Sequence, residues 1–156
     1  MSSKLLKKKN YIDELFTFLN VDLKNNQLLD LINLKGPKTI YTPTETTPFL
    51  ISIIRKFINN NIVVVLENNE IARKVFQDCQ SFLGGKSSII YIPEIETHPM
   101  SGLEKNSISF TERNDALSKV IELNEKPALI ITSALSLAQK IPEKNYFYSY
   151  GLLDLK

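Results

Sequence analysis

The chain has 156 residues, 43% hydrophobic and 23% charged, which suits one globular domain with its own core and excludes a disordered tail. Its formal charge of +2 divides unevenly: Lys4, Lys7, Lys8 and Lys9 carry four of the 19 basic groups, leaving 15 against 17 acidic ones, so a domain-wide nucleic-acid surface is excluded. One cysteine, Cys79, excludes a disulfide framework and a thiolate metal cage and fits a reducing compartment.

Residues 1–9 read as a solvated basic arm, with phosphate contact as the functional alternative. No signal peptide is legible ahead of the first acidic residues, and no apolar run reaches the roughly 18 residues of a membrane span. A cytoplasmic location without membrane contact is therefore expected. Ile12, Leu15, Phe16 and Leu19 share one helical face, and Leu28, Leu31 and Ile32 repeat the pattern before Gly36-Pro37 stops it. Residues 1–36 thus form a basic arm and a helical preface.

From Lys38 short β-branched runs alternate with helical segments, the sign of βαβ units and a parallel sheet. The first expected strand is Thr39–Thr42. A helix follows with Thr47 as its cap, Pro48 at its first position, and Phe49, Leu50, Ile53, Ile54, Phe57 and Ile58 facing the sheet. Ile62–Leu66 is apolar without alternation, which predicts a strand covered on both faces. Asn68 or Asn69 caps the next helix, where Ile71, Val75, Cys79 and Phe82 recur at helical spacing and Gly84-Gly85 provides the stop.

Ser88–Ile92 is the next strand, closed by Pro93, and 94–110 is the longest irregular stretch. Ser109 and Glu112 have capping-box spacing, predicting a helix with Ala116, Leu117, Val120 and Ile121 inward. Ala128–Thr132 reads as a further strand, with Ser133 capping a short helix that Pro142 ends. The tail from Tyr146 to Lys156 alternates like another strand.

Several motifs invite chemistry. Gly85-Lys86-Ser87 resembles the end of a phosphate-binding loop, but Gln80 stands where the first Gly belongs. The triplet also runs from a helix into a strand, against the required order. The turn 41–48 has the right order and the wrong chemistry: it lacks Gly and Lys, contains Glu45, and loses N–H donors at Pro43 and Pro48. It reads as a connecting turn or a decayed phosphate site. His98 lies near Glu94 and Glu96, yet a catalytic zinc site needs more His or Cys ligands than the chain offers. Ser133 is better explained as a cap than as a nucleophile, which would need a strained G-x-S-x-G turn. No catalytic or metal-binding residue is assigned on these grounds. A small α/β nucleotide-utilising or phosphoryl-hydrolase enzyme centred on His98 and Glu96 stays open as the alternative.

One ordered series of motifs resembles a known family. Pro93, Glu96, Thr97 and Pro99 resemble its Pro-x-x-Glu-Thr-x-Pro stretch. Glu112, Arg113 and Leu117 resemble its Glu-Arg-x-x-x-Leu helix. Thr132, Gln139 and Pro142 lie in segments similar to its strand and Leu-x-Gln-x-Leu-Pro end. The family is the bacterial transcription-repair coupling factor, whose N-terminal module is similar to the excision-repair helicase UvrB. The resemblance spans about 34–156.

It implies an α/β, RecA-like (P-loop NTPase-like) fold, a mostly parallel sheet flanked by helices, over 37–144. It also implies a degenerate phosphate-loop position at Thr42, Thr44, Glu45, Thr46 and Thr47, and the start of an inserted domain at 145–156. Residues 94–110 are too short for the tyrosine-rich hairpin of UvrB and contain no Tyr. The implied function is a non-catalytic scaffold of a DNA-repair translocase, with no cofactor in this segment. ATP and Mg belong to the parent's downstream motor, and UvrA, RNA polymerase and DNA are met through the parent, whose remaining domains are the direct partners.

Overall fold

A computed structural model of the chain describes residues 35–84, 88–95, 107–123 and 126–149. The chain divides into two compact units, Met1–Pro43 and Thr44–Lys156. In the first unit the described residues 35–43 have no helix or strand, and Gly36 takes a φ of 97°. The helices expected before residue 35 and the basic arm lie outside the described residues.

The expected strand Thr39–Thr42 does not form. Strand propensity is a fit to a pleated, half-buried surface, and this segment has no ladder partner, with Tyr41 94% exposed.

The second unit is an α/β layer structure. A 3-10 turn, Thr44–Thr46, leads into α1 (Thr47–Phe57), followed by β1 (Ile62–Leu66), α2 (Asn69–Leu83), β2 (Ile89–Ile92), α3 (Ser107–Glu122), β3 (Leu129–Ser133), α4 (Ala134–Ala138) and α5 (Lys144–Ser149). The described strands form one parallel sheet in the order β1-β3-β2, with Ile62 and Ile89 both level with Leu129. Parallel neighbours need crossover connections, and α2 and α3 supply them.

The two crossovers lie on opposite faces. Ala72, Val75, Cys79 and Leu83 of α2 join Ile51 of α1, Leu129 and Ile131 in the main core, with Ile62, Val64, Leu66, Ile89 and Tyr91 packed against it. On the other face Leu117 of α3 and Phe147 of α5 pack with Ile92 and Ile121. Right-handed crossovers dictate this split, because β1→β2 and β2→β3 step in opposite directions across the sheet.

β1 corrects a second expectation. Its side chains alternate, with Val63 55% and Val65 45% exposed while Ile62, Val64 and Leu66 turn to the core. An all-apolar run is consistent with two covered faces but does not require them. Here the helix over the second face lies against β2 rather than β1.

Local signals account for most boundaries. Asn68 caps α2, its Oδ1 accepting from Ile71 N–H at 2.9 Å. Gly84 ends α2 at φ 62°, a conformation glycine adopts without a Cβ penalty. Ser133 caps α4, its Oγ accepting from Ser136 N–H at 3.0 Å.

Four expectations shift. Thr47 is the first residue of α1 rather than its cap; the cap is Thr46, held in the preceding 3-10 turn. Ser109 lies inside α3, which begins at Ser107, so no capping box forms and Glu112 pairs with Arg73 instead. Residues 144–149 are helical rather than extended: burying Phe147 against Leu117 outweighs the alternating pattern. α4 itself ends at Ala138, ahead of Pro142.

Candidate functional site

In open α/β sheets ligands meet the carboxyl ends of the strands, and here that edge carries most of the long-range polar contacts. The chain leaves β2 as Pro93-Glu94-Ile95 with no further ladder partner, yet side chains from α2, α3, β3 and the end of α4 hold its backbone. Thr132 Oγ1 donates to Ile92 C=O at 3.0 Å. Arg113 Nη1 donates to Pro93 C=O at 2.7 Å, and Nη2 donates to Ser136 C=O at 3.0 Å. Asn69 Oδ1 accepts from Glu94 N–H at 3.4 Å. Gln139 closes the series in both directions: Oε1 accepts from Ile95 N–H at 2.8 Å, and Nε2 donates to Ile95 C=O at 3.0 Å.

Arg113 is the most unusual member. It is 2% exposed, and its partners among the described residues are carbonyls and the Ser136 hydroxyl, with Nε unpartnered. Burial lowers its pKa from the ordinary guanidinium value, since a desolvated cation is disfavoured. Ser136 Oγ accepts from Arg113 Nη1 and itself reaches Pro93 C=O at 3.0 Å and Ile92 C=O at 3.2 Å.

An open hollow of about 630 Å³ lies beside this knot, lined by Asn68, Asn69, Glu70, Arg73 and Glu94. Several of its donors and acceptors are engaged with residues around it. Glu94 Oε2 accepts from Ser133 Oγ at 3.1 Å, and Arg73 pairs with Glu112 at 3.3 Å. The Arg73 guanidinium also lies 5.4 Å from the ring centre of Tyr91, whose hydroxyl bonds to Asn69. Burial raises the Tyr91 pKa, with Arg73 opposing it. Ser133 is fully buried and its hydroxyl serves α4 as a cap, so it holds structure rather than presenting a nucleophile. A second, largely apolar hollow of about 790 Å³ is lined by Ile95, Phe110, Gln139, Ile141, Pro142 and Tyr146 among others.

The structure thus brings together five of the motif residues read from the sequence: Pro93, Arg113, Thr132 and Gln139 in the knot, with Glu112 tied to its rim through Arg73. Leu117 is core, and Pro142 lines the apolar hollow. Glu96, Thr97, His98 and Pro99 lie outside the described residues, as does Gly85-Lys86-Ser87. Thr44, Glu45 and Thr46 wind into the 3-10 turn, and Thr42 follows no strand, so the strand-to-helix context of a phosphate loop is missing from the described residues.

Sequence reasoning missed Ser136 and Asn69. Their bonds to the β2 exit cross 43 and 25 residues of chain. The only local hint was a serine set between two leucines in α4.

The knot falls on the positions by which the chain resembled a family, and direct comparison meets that resemblance. A transcription-repair-coupling factor from Rickettsia typhi is 30% identical over 104 residues, 67% of this chain. Those from Rickettsia prowazekii and Rickettsia bellii are 29% and 32% identical over 104 and 102 residues. The chain is similar to one stretch of transcription-repair-coupling factors. It spans about 9% of the length of these curated relatives. No family model matches the chain, and no solved structure does. Among the described residues no helix is long and apolar enough to cross a membrane.

Proposed function

We propose that the chain is the N-terminal module of a transcription-repair-coupling factor and serves it as a non-catalytic scaffold in the cytoplasm. The carrying observation is the match of 102–104 residues to such factors in three species. In this reading the fold is a degenerate member of the RecA-like group. A parallel sheet with crossover helices on both faces supports it; the turn 42–47, though no strand precedes it among the described residues, is read as the remnant of a phosphate loop. ATP and Mg serve the motor of the longer protein, not this module. UvrA, RNA polymerase and DNA are engaged by that longer protein.

The polar knot supports a scaffold rather than a reaction centre. Its arginine, its serine Ser136 and its glutamine are engaged mostly with backbone groups, and an active site instead keeps polar groups available for substrate. The test is ATP turnover by the purified chain. No saturable, magnesium-dependent hydrolysis is expected; saturable hydrolysis abolished by substitutions in 42–47 would overturn the reading.

A further inference from the structure

Two segments at the carboxyl edge lie outside the sheet ladder and bury few apolar side chains, Pro93 being the fully buried one. α4 has five residues, too few for a helix that persists alone, and its leucines face outward, Leu135 60% and Leu137 55% exposed. What it buries is Ser136. The β2 exit, residues 93–95, has run past its last ladder pair, Ile92 with Thr132. Besides Asn69 on Glu94 N–H, Ser136 on Ile92 C=O, and Ser133 on Ser136 N–H and Glu94 Oε2, the side-chain bonds that hold the two segments among the described residues pass between them or through Arg113. Ser136 and Arg113 join α4 to Pro93, and Gln139 joins the end of α4 to Ile95.

We propose that Arg113, Ser136 and Gln139 form a latch that couples α4 to the β2 exit, so that the two segments open and close as one unit. Elements held by few apolar contacts open at lower cost than the whole domain. When both sides of a contact depend on it, opening one removes the support of the other. The latch therefore links two surfaces: the outer face of α4 with Leu135 and Leu137, and the rim of the hollow at Glu94. A molecule that holds either surface in place holds both.

Native-state amide exchange on the full 156-residue chain tests the coupling. The amides of Ile95, Ser136 and Gln139 are expected to share one opening equilibrium and one urea dependence. Gln139→Ala removes side-chain bonds to Ile95 only; Ser136 N–H is bonded to Ser133 Oγ. Exchange at Ser136 should nevertheless rise with that at Ile95, by about tenfold, the worth of one or two lost hydrogen bonds. The amides of Ile62 and Leu129, bonded within the sheet region to Ala128 and Ser88, should keep their rates. Arg113→Lys is the reciprocal variant and should speed exchange at Ile95, although the hydrogen bonds of Arg113 go to Pro93 and Ser136. Faster exchange at Ile95 with Ser136 unchanged in Gln139→Ala would overturn the latch. Gln139 is only half-buried, so this variant keeps the test open if Arg113→Lys does not fold.

Discussion

Arg113 lies 20 residues beyond Pro93 in sequence and donates to its carbonyl from inside the domain, while its second guanidinium nitrogen reaches the carbonyl of Ser136. One side chain thereby ties α3 to both the exit of β2 and the short helix after β3. A buried guanidinium whose partners among the described residues include no carboxylate carries a large desolvation cost, so these bonds must be well made for the fold to keep it.

Arg113→Ala should therefore cost about 3–5 kcal/mol, since it removes the guanidinium's bonds to Pro93 C=O, Ser136 C=O and Ser136 Oγ together and opens a cavity. Arg113→Met fills most of that volume without burying a charge and should cost clearly less. Urea unfolding of both variants checks the order. A cheaper alanine variant would mean that the bonds contribute little.

Cys79 is fully buried in the main core, and burial pushes its pKa up to about 11. The thiol should resist a disulfide reagent at pH 8 until the chain unfolds. The sign of the linkage follows from the raised value. The folded state holds the proton more tightly than the unfolded chain, whose ordinary thiol value is 9.0. The contribution is complete below that pH and is lost as pH rises toward 11. Comparing Cys79→Ala with the parent across pH 8–11 isolates it.

The two faces of the sheet should answer differently to substitution. Val63 is 55% exposed and Ile131 fully buried. Val63→Thr is expected to change stability by no more than about 0.5 kcal/mol, and Ile131→Ala to cost about 2–5 kcal/mol. A large loss at Val63, read by thermal or urea unfolding, would mean that β1 is covered on both faces.

Gly84 takes φ 62° and ψ −173°, a region almost reserved for glycine, and a Cβ there would meet nothing within 4 Å. Gly84→Ala should then cost about 1–3 kcal/mol through backbone strain alone. Calorimetry on this variant separates strain from crowding, since no neighbour can relax to recover the loss.

Much of the local structure was legible because its causes are local. β1 has the bounds its apolar run predicts, and the caps at Asn68 and Ser133 and the stop at Gly84 depend on residues within one turn. The features that were misread depend on distant chain. Nothing in Thr39–Thr42 says whether a neighbouring strand will accept it, and nothing in Ile62–Leu66 says how many helices will cover it. Phe147 sits in a pattern fit for a strand, but its burial is decided by Leu117, thirty residues away. The knot was visible only as motif positions. Pro93, Arg113 and Gln139 stood in the resemblance without any sign that they touch, because their bonds close loops of 20 and 44 residues.

The most direct test of the central claim is the size of the native polypeptide that carries this sequence. An antibody raised against the 17.8 kDa chain is used to probe a lysate of the source organism. The proposed place in a transcription-repair-coupling factor, of whose relatives the chain spans about 9%, predicts a band several times heavier than the chain itself. A single band at 17.8 kDa, in cells harvested with proteolysis blocked, would contradict the assignment to a larger repair factor.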